Sequence, residues 1–260
     1  MRILFLADVF GPAGRRAVEA RLPTLRDELG AGFCIVNGEN AADGAGLTAK
    51  LAEKLLGAGA DVLTTGNHVW RRRDLYEVLE RSPRVLRPAN LGGPDAPGRG
   101  LTVVKSADGR PVAVLNLQGS LFLQVRVHPF AVVDELVEEA RAGASVVFVD
   151  FHAEATSEKI ALARILDGRV TAVVGTHTHV QTNDARVLPG GTAAITDAGM
   201  TGPHDSVIGV RADLAIARMR TGLPVRFEPA EGDVRLEGVV VDCDEEGRAT
   251  SCEPLRVPVD

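Results

Sequence analysis

The chain has 260 residues, a formal net charge of −6, 45% hydrophobic and 4% aromatic residues. That size and apolar content can bury a large core in one domain spanning 1–260. The acidic balance, with no long Lys/Arg block, argues against stable nucleic-acid binding, which rests on phosphate contacts.

No apolar run nears the roughly 20 residues needed to cross a bilayer. Cys34, Cys243 and Cys252 are an odd count without CxxC spacing, which argues against a disulfide framework and a zinc ribbon. A cytoplasmic location is the resulting expectation.

Residues 1–6 are apolar but run straight into Asp8, so they read as a first strand rather than a signal peptide. Helical spacing follows at 15–29 and 47–56, then at 75–79, 130–140 and 156–166. Between these lie the strand-like runs 33–36, 61–65, 145–151 and 170–174, a β-α alternation that predicts βαβ units. Residues 101–104 and 112–117 flank Asp108-Gly109-Arg110 and predict a hairpin, so the sheet content should be mixed. The Gly/Pro-rich stretch 90–100 is a loop. After residue 190 the pattern turns to β at 192–196, 225–228 and 234–242, with a turn at 244–247.

The strand-like runs share one property: they end in polar, ligand-type residues. The first ends at Asp8, the second at Glu39 and Asn40, the third at Asn67 and His68, the fourth at His152, and the fifth at His177 and His179. In open α/β sheets such residues meet outside the carboxyl ends of the strands. A lone Asp or Asn after a strand is most often a helix cap, but five strand ends together predict one pocket. His177 and His179, at i and i+2 on an extended segment, should point the same way.

The candidate metal ligands are Asp8, Glu39, Asn40, Asn67, His152, His177 and His179. Imidazole-rich N/O sets suit transition metals better than Ca or Mg. Seven donors exceed one tetrahedral ion and suit two ions sharing a carboxylate. Two divalent ions against Asp8, Glu39 and a bridging hydroxide leave a net positive centre that attracts an anion, the machinery of phosphoester hydrolysis. His68, beside Asn67, is the candidate general acid. Arg71, Arg72 and Arg73 read as a solvated helix start, His128 as a surface residue, and His204 as a residue able to face the pocket. Gly11 and Gly14 should let backbone pass close to the metals.

The blocks around Asp8, Glu39, Asn67-His68, His152 and His177/His179 resemble those of the calcineurin-like metallophosphoesterases. More narrowly, residues 37–42, 150–159 and 197–203 resemble the bacterial YmdB-like phosphodiesterases. Two positions depart from the broad superfamily: Phe10 replaces a His, and Glu39 replaces a bridging Asp. The resemblance implies a four-layer α/β/β/α sandwich with two stacked mixed sheets, and a di-iron or di-manganese centre. It places Asp8, Glu39, Asn40 and His179 on one ion and Glu39, Asn67, His152 and His177 on the other. It implies hydrolysis of cyclic nucleotides, 2′,3′-cyclic and also 3′,5′-cyclic monophosphates; joined to the reading of the residues, the expectation is attack by a metal-bridging hydroxide with His68 protonating the departing ribose oxygen. A phosphomonoesterase or nucleotidase on the same site, and a cyclic-nucleotide or RNA-associated regulator with little turnover, are the alternatives. A homo-oligomer and the base preference stay open.

Overall fold

The computed structural model describes residues 1–259. The first half builds one sheet from β1 (Arg2–Leu6), β2 (Phe33–Asn37) and β3 (Val62–Thr64), parallel and adjacent. Their crossovers are α1 (Gly11–Leu29) and α2 (Ala49–Gly57), followed after β3 by a one-turn 3-10 helix at Val69–Arg71 and by α3 (Leu75–Arg81). Pro12 opens α1, where its missing N–H costs nothing, and Gly30 closes it in the left-handed conformation. Thr48 caps α2 by accepting from the Leu51 amide.

The second sheet starts with the expected hairpin, β4 (Leu101–Lys105) and β5 (Pro111–Gln118), paired antiparallel. Through α4 (Pro129–Gly143) and α5 (Thr156–Ile165) it continues into β6 (Val146–His152) and β7 (Ala172–Thr176), both parallel to β5. It finishes with β8 (Arg186–Val187) and β9 (Ala193–Ile195), in the order β4-β5-β6-β7-β9-β8.

The tail then returns to the first sheet. β10 (Gly202–Pro203), β11 (Val234–Cys243) and β12 (Ala249–Pro258) make it six-stranded and mixed, with β11 antiparallel to β1. Between β10 and β11 lies α6 (Ala212–Thr221), a helix without a clear apolar stripe: only Ala215 on it is buried. Residues 225–228, expected as a strand, are irregular. They have no neighbouring strand to complete a ladder, and alternation without a partner does not make a sheet.

Three apolar clusters define the layering. Ile3, Phe5, Phe33 and Ile35 from the first sheet meet Val112, Val114, Phe148 and Val174 from the second, and the Phe5 and Phe148 rings stack at 5.3 Å. The outer face of the first sheet packs on α1–α3 through Leu4, Val18, Leu22, Leu55 and Leu75. The outer face of the second packs on α4 and α5 through Leu115, Val137, Val149 and Leu162. The result is the four-layer α/β/β/α sandwich with two stacked mixed sheets. Strands covered on both faces need apolar residues on both, hence the near-continuous apolar runs of β1, β2, β6 and β7. β1–β3 and β5–β7 all present their carboxyl ends at one end of the sandwich.

Candidate metal centre

That end gathers Asp8, Glu39, Asn40, Asn67, His68, His152, His177 and His179. His152 Nε2 lies 3.0 Å from Asn67 Oδ1, 3.1 Å from His177 Nδ1 and 3.4 Å from Glu39 Oε1. Donor atoms around one ion with bonds near 2.1 Å are about 3.0–3.4 Å apart, the edges of an octahedron or tetrahedron. The second group is looser: His179 Nε2 is 4.0 Å from Asp8 Oδ2 and 3.1 Å from Asn40 Nδ2. Asn40 here turns its nitrogen to His179 and its oxygen to His68 Nδ1, at 2.9 Å; a half-turn of the amide would present the oxygen as a ligand. Among the described residues no three His, Cys, Asp or Glu side chains by themselves form a metal cage, and each of the two sets includes an asparagine.

Several observations fit this donor set to metal. Asp8 is fully buried, and its Oδ1 has no hydrogen-bond partner, a cost of roughly 1–3 kcal/mol or more for an anion unless a cation meets it. Burial pushes the Asp8 carboxyl above its ordinary range, against the pull of His179 and His152. Burial opposes ionisation of Glu39 too, yet His152 and His68 outweigh it and hold that carboxyl far below the usual value. His152, despite burial, is pushed up to about 9 by Glu39 and Asp8. Burial and the neighbouring His152 push His177 down to about 3, so its imidazole is neutral and free to ligate.

The outer nitrogens of the imidazoles are held. His152 Nδ1 donates to Thr176 Oγ1 at 3.0 Å, and that hydroxyl donates to Asp150 at 2.8 Å. Asp150 also accepts from Asn37 and Thr64, and burial pushes its carboxyl up to about 6. His179 Nδ1 donates to the Ile208 carbonyl at 3.0 Å, and His177 Nε2 meets Glu154 at 3.2 Å. Such supports fix ring orientation at metal sites. Sequence reasoning gave none of these partners a role. Asp150 is a carboxylate inside an otherwise apolar strand, which was the available signal.

The His177/His179 pair reaches the site differently from the extended geometry expected. β7 ends at Thr176, and both histidines lie in a turn with φ of 102° and 65°. Asp8 and Ile208 also have positive φ, 32° and 48°. Non-glycine residues in this region concentrate at functional sites, where packing must enforce them. The turn is tied from beneath: Thr178 donates its amide and its hydroxyl to Asp197, which is paired with Lys159 at 2.7 Å, both buried. The turn thus aims His177 at the tighter donor group and His179 at the looser one.

The other expectations divide. Arg71 lines the cleft in front of the centre, whereas Arg72 donates to the carbonyls of Ala42 and Ala45, and Arg73 is exposed. His128 is on the surface, and His204 turns to Glu237 rather than into the cleft. Gly14 serves helix packing: a Cβ there would lie 2.3 Å from the Thr201 carbonyl oxygen. The cleft, of about 620 Å³, is bounded by Asn40, His68, His177 and His179 on one side and by Ile208, Val210 and Phe227 on the other.

The two-sheet sandwich with polar donors at its strand ends defines a hydrolase of the metallophosphoesterase class. The chain belongs to the YmdB-like family, whose model matches residues 4–255. A 2′,3′-cyclic-nucleotide 2′-phosphodiesterase of Bacillus subtilis is 51% identical over 247 residues, 95% of this chain and 92% of that protein. Among solved structures, a hypothetical protein of Thermus thermophilus superposes with TM-score 0.92 at 41% identity, covering 99% of each chain. A phosphatase of Mycoplasma pneumoniae superposes with TM-score 0.91 at 36% identity, covering 99% of this chain and 93% of that one. No helix among the described residues is long and apolar enough to cross a membrane.

Proposed function

We propose that this enzyme is a phosphodiesterase that hydrolyses 2′,3′-cyclic nucleoside monophosphates with two ions of iron or manganese. The observation that carries this reading is the approach of Glu39, Asn67 and His177 donor atoms to within 3.0–3.4 Å of His152 Nε2, beside a nucleotide-sized cleft. The activity of the Bacillus subtilis relative supports the substrate class. The ions, when bound, supply a water of lowered pKa and offset phosphate charge. Glu39, Asn67, His152 and His177 would hold one, and Asp8, Glu39, Asn40 and His179 the other. Using Asn in place of further carboxylates leaves two negative side chains against two divalent cations, so the centre draws in an anion.

His68 is the proton donor of this reading. Its Nδ1 is held by Glu39 Oε1 at 3.0 Å, and by Asn40 Oδ1 at 2.9 Å until that amide turns its oxygen to the metal. Its ring lines the cleft, and Nε2 has no protein partner among the described residues. The proton on its Nε2 passes to the ribose 2′-oxygen as the bond from that oxygen to phosphorus breaks and water bonds to phosphorus, the water giving up a proton in turn. The product is a nucleoside 3′-monophosphate.

The test is hydrolysis of 2′,3′-cyclic AMP by protein reconstituted with iron or manganese. Metal-dependent formation of 3′-AMP, lost in Glu39→Gln, is expected; no turnover with two ions bound would overturn the reading. His68→Ala should keep its metal and lose on the order of 10²- to 10⁴-fold in turnover. Unchanged turnover would remove His68 from the mechanism. The description of the Mycoplasma pneumoniae structure as a phosphatase favours a second reading, a phosphomonoesterase, in which 3′-AMP would itself be converted to adenosine and phosphate.

A further inference from the structure

The far wall of the cleft is built differently from the metal side. Residues 207–211 fold against residues 228–230: Arg211 N–H donates to the Glu228 carbonyl at 3.0 Å, and Ala230 N–H to the Gly209 carbonyl at 2.9 Å. Arg211 also pairs with the Glu228 carboxylate at 2.7 Å. This short clamp carries two large apolar side chains that stay open to water, Ile208 at 53% and Phe227 at 41% exposure. Both line the cleft, together with Val210 and Pro229. From α6, Arg218 stands over the Phe227 ring, its guanidinium carbon 5.0 Å from the ring centroid, a cation–π contact that steadies the ring.

Ile208 links this wall to the centre. Its carbonyl accepts from His179 Nδ1 at 3.0 Å while its backbone holds a φ of 48°, a true outlier for a β-branched residue. One strained residue therefore positions a metal-side imidazole and presents an apolar face in the same cleft. Packing does not require that face, because Ile208 is half exposed. A site occupied by phosphate alone has no use for it either. The remaining part of a nucleotide that is flat and apolar on its faces is the base, and aromatic side chains bind bases by stacking.

We propose that Phe227 and Ile208, with Arg218 beside them on the cleft wall, form the nucleobase subsite of this enzyme, so that substrate is selected by a base as well as by a cyclic phosphate. This rests on the phosphodiesterase reading above. Because stacking reads no hydrogen-bonding edge, the subsite accepts adenine and guanine and disfavours the smaller pyrimidines only modestly. Phe227 is thus a specificity-determining residue that leaves the reacting atoms alone.

The experiment compares wild type, Phe227→Ala and Phe227→Trp on two probes, 2′,3′-cyclic AMP and 1-O-methylribose 2′,3′-cyclic phosphate, which lacks a base. Phe227→Ala should raise KM for cyclic AMP about tenfold with kcat within about twofold, and leave the base-free probe unchanged. Phe227→Trp should restore the cyclic AMP KM. Equal KM values for wild type and Phe227→Ala on cyclic AMP, or a loss shared by both probes, would overturn the subsite and leave the phosphodiesterase reading standing. Hydrolysis of neither probe by metal-loaded wild type would overturn that reading and the subsite with it. Phe227 is exposed on an irregular segment, so the variants should fold, and an unchanged Tm checks this.

Discussion

Lys159→Met is the most demanding test of how the fold holds the His177/His179 turn. Lys159 Nζ lies 2.7 Å from Asp197 Oδ2, and both residues are almost wholly buried. Breaking a buried pair by removing one partner typically costs 3–5 kcal/mol, because the other charge is left uncompensated. Asp197 would keep three donors, the Thr178 amide and hydroxyl and the Gly199 amide, which places the cost at the low end, about 3 kcal/mol. Met matches the lysine stem in volume, so little cavity cost is added. For a chain of this size 1 kcal/mol moves Tm by about 2–4 °C, so the expected fall is roughly 6–12 °C by calorimetry. Adding Asp197→Asn removes the stranded charge, and the double variant should recover part of the loss. Thr178 sits between His177 and His179, so the single variant should also bind manganese more weakly. A fall under about 2 °C, or purely additive losses in the double variant, would refute the account.

Gly66→Ala should abolish the tighter donor group while sparing the fold: an added Cβ would lie 2.2 Å from His152 Cδ2 and 2.3 Å from Nε2. The overlap forces the His152 ring out of its place beside Asn67 and His177, so metal content by elemental analysis should drop with circular dichroism unchanged; normal metal content would contradict the assignment. Glu237→Gln tests an acid-sensitive contact outside the site. Burial would raise that carboxyl, but His204, the Met200 amide and Arg256 together hold it below its ordinary value. Its contribution is therefore present above the unfolded carboxylate pKa and is lost as pH falls through the lower folded value. Urea denaturation should show the wild-type advantage over Glu237→Gln at pH 6 shrinking towards pH 3, and a gap constant across that range would count against it.

The alternation of apolar runs and amphipathic helices made the βαβ units legible, because strands covered on both faces must be apolar throughout. Helix ends were less so. α1 begins at Gly11 rather than near residue 15, since Pro12 makes a good first helical position despite interrupting the apolar pattern. α6 left no periodic signal, because it buries little; its signs were Asp213 in the first turn and Gly222 at the end. The strand expected at 225–228 failed for the opposite reason, its alternation belonging to a cleft wall instead of a ladder.

Residue types at strand ends are local information, so the chain by itself named Asp8, Glu39, Asn40, Asn67, His68, His152, His177 and His179 as one group. Local information also determined that the donor set mixes carboxylate, amide and imidazole. Tertiary structure alone decided how that group divides: the turn after β7, enforced by Asp197 and Lys159, sends His177 to His152 and His179 towards Asp8. It alone brought Asp150 behind Thr176, the Ile208 carbonyl onto His179, and Phe227 across the cleft. Those contacts join residues tens of positions apart, through side-chain directions and positive-φ backbone that no spacing in the sequence encodes.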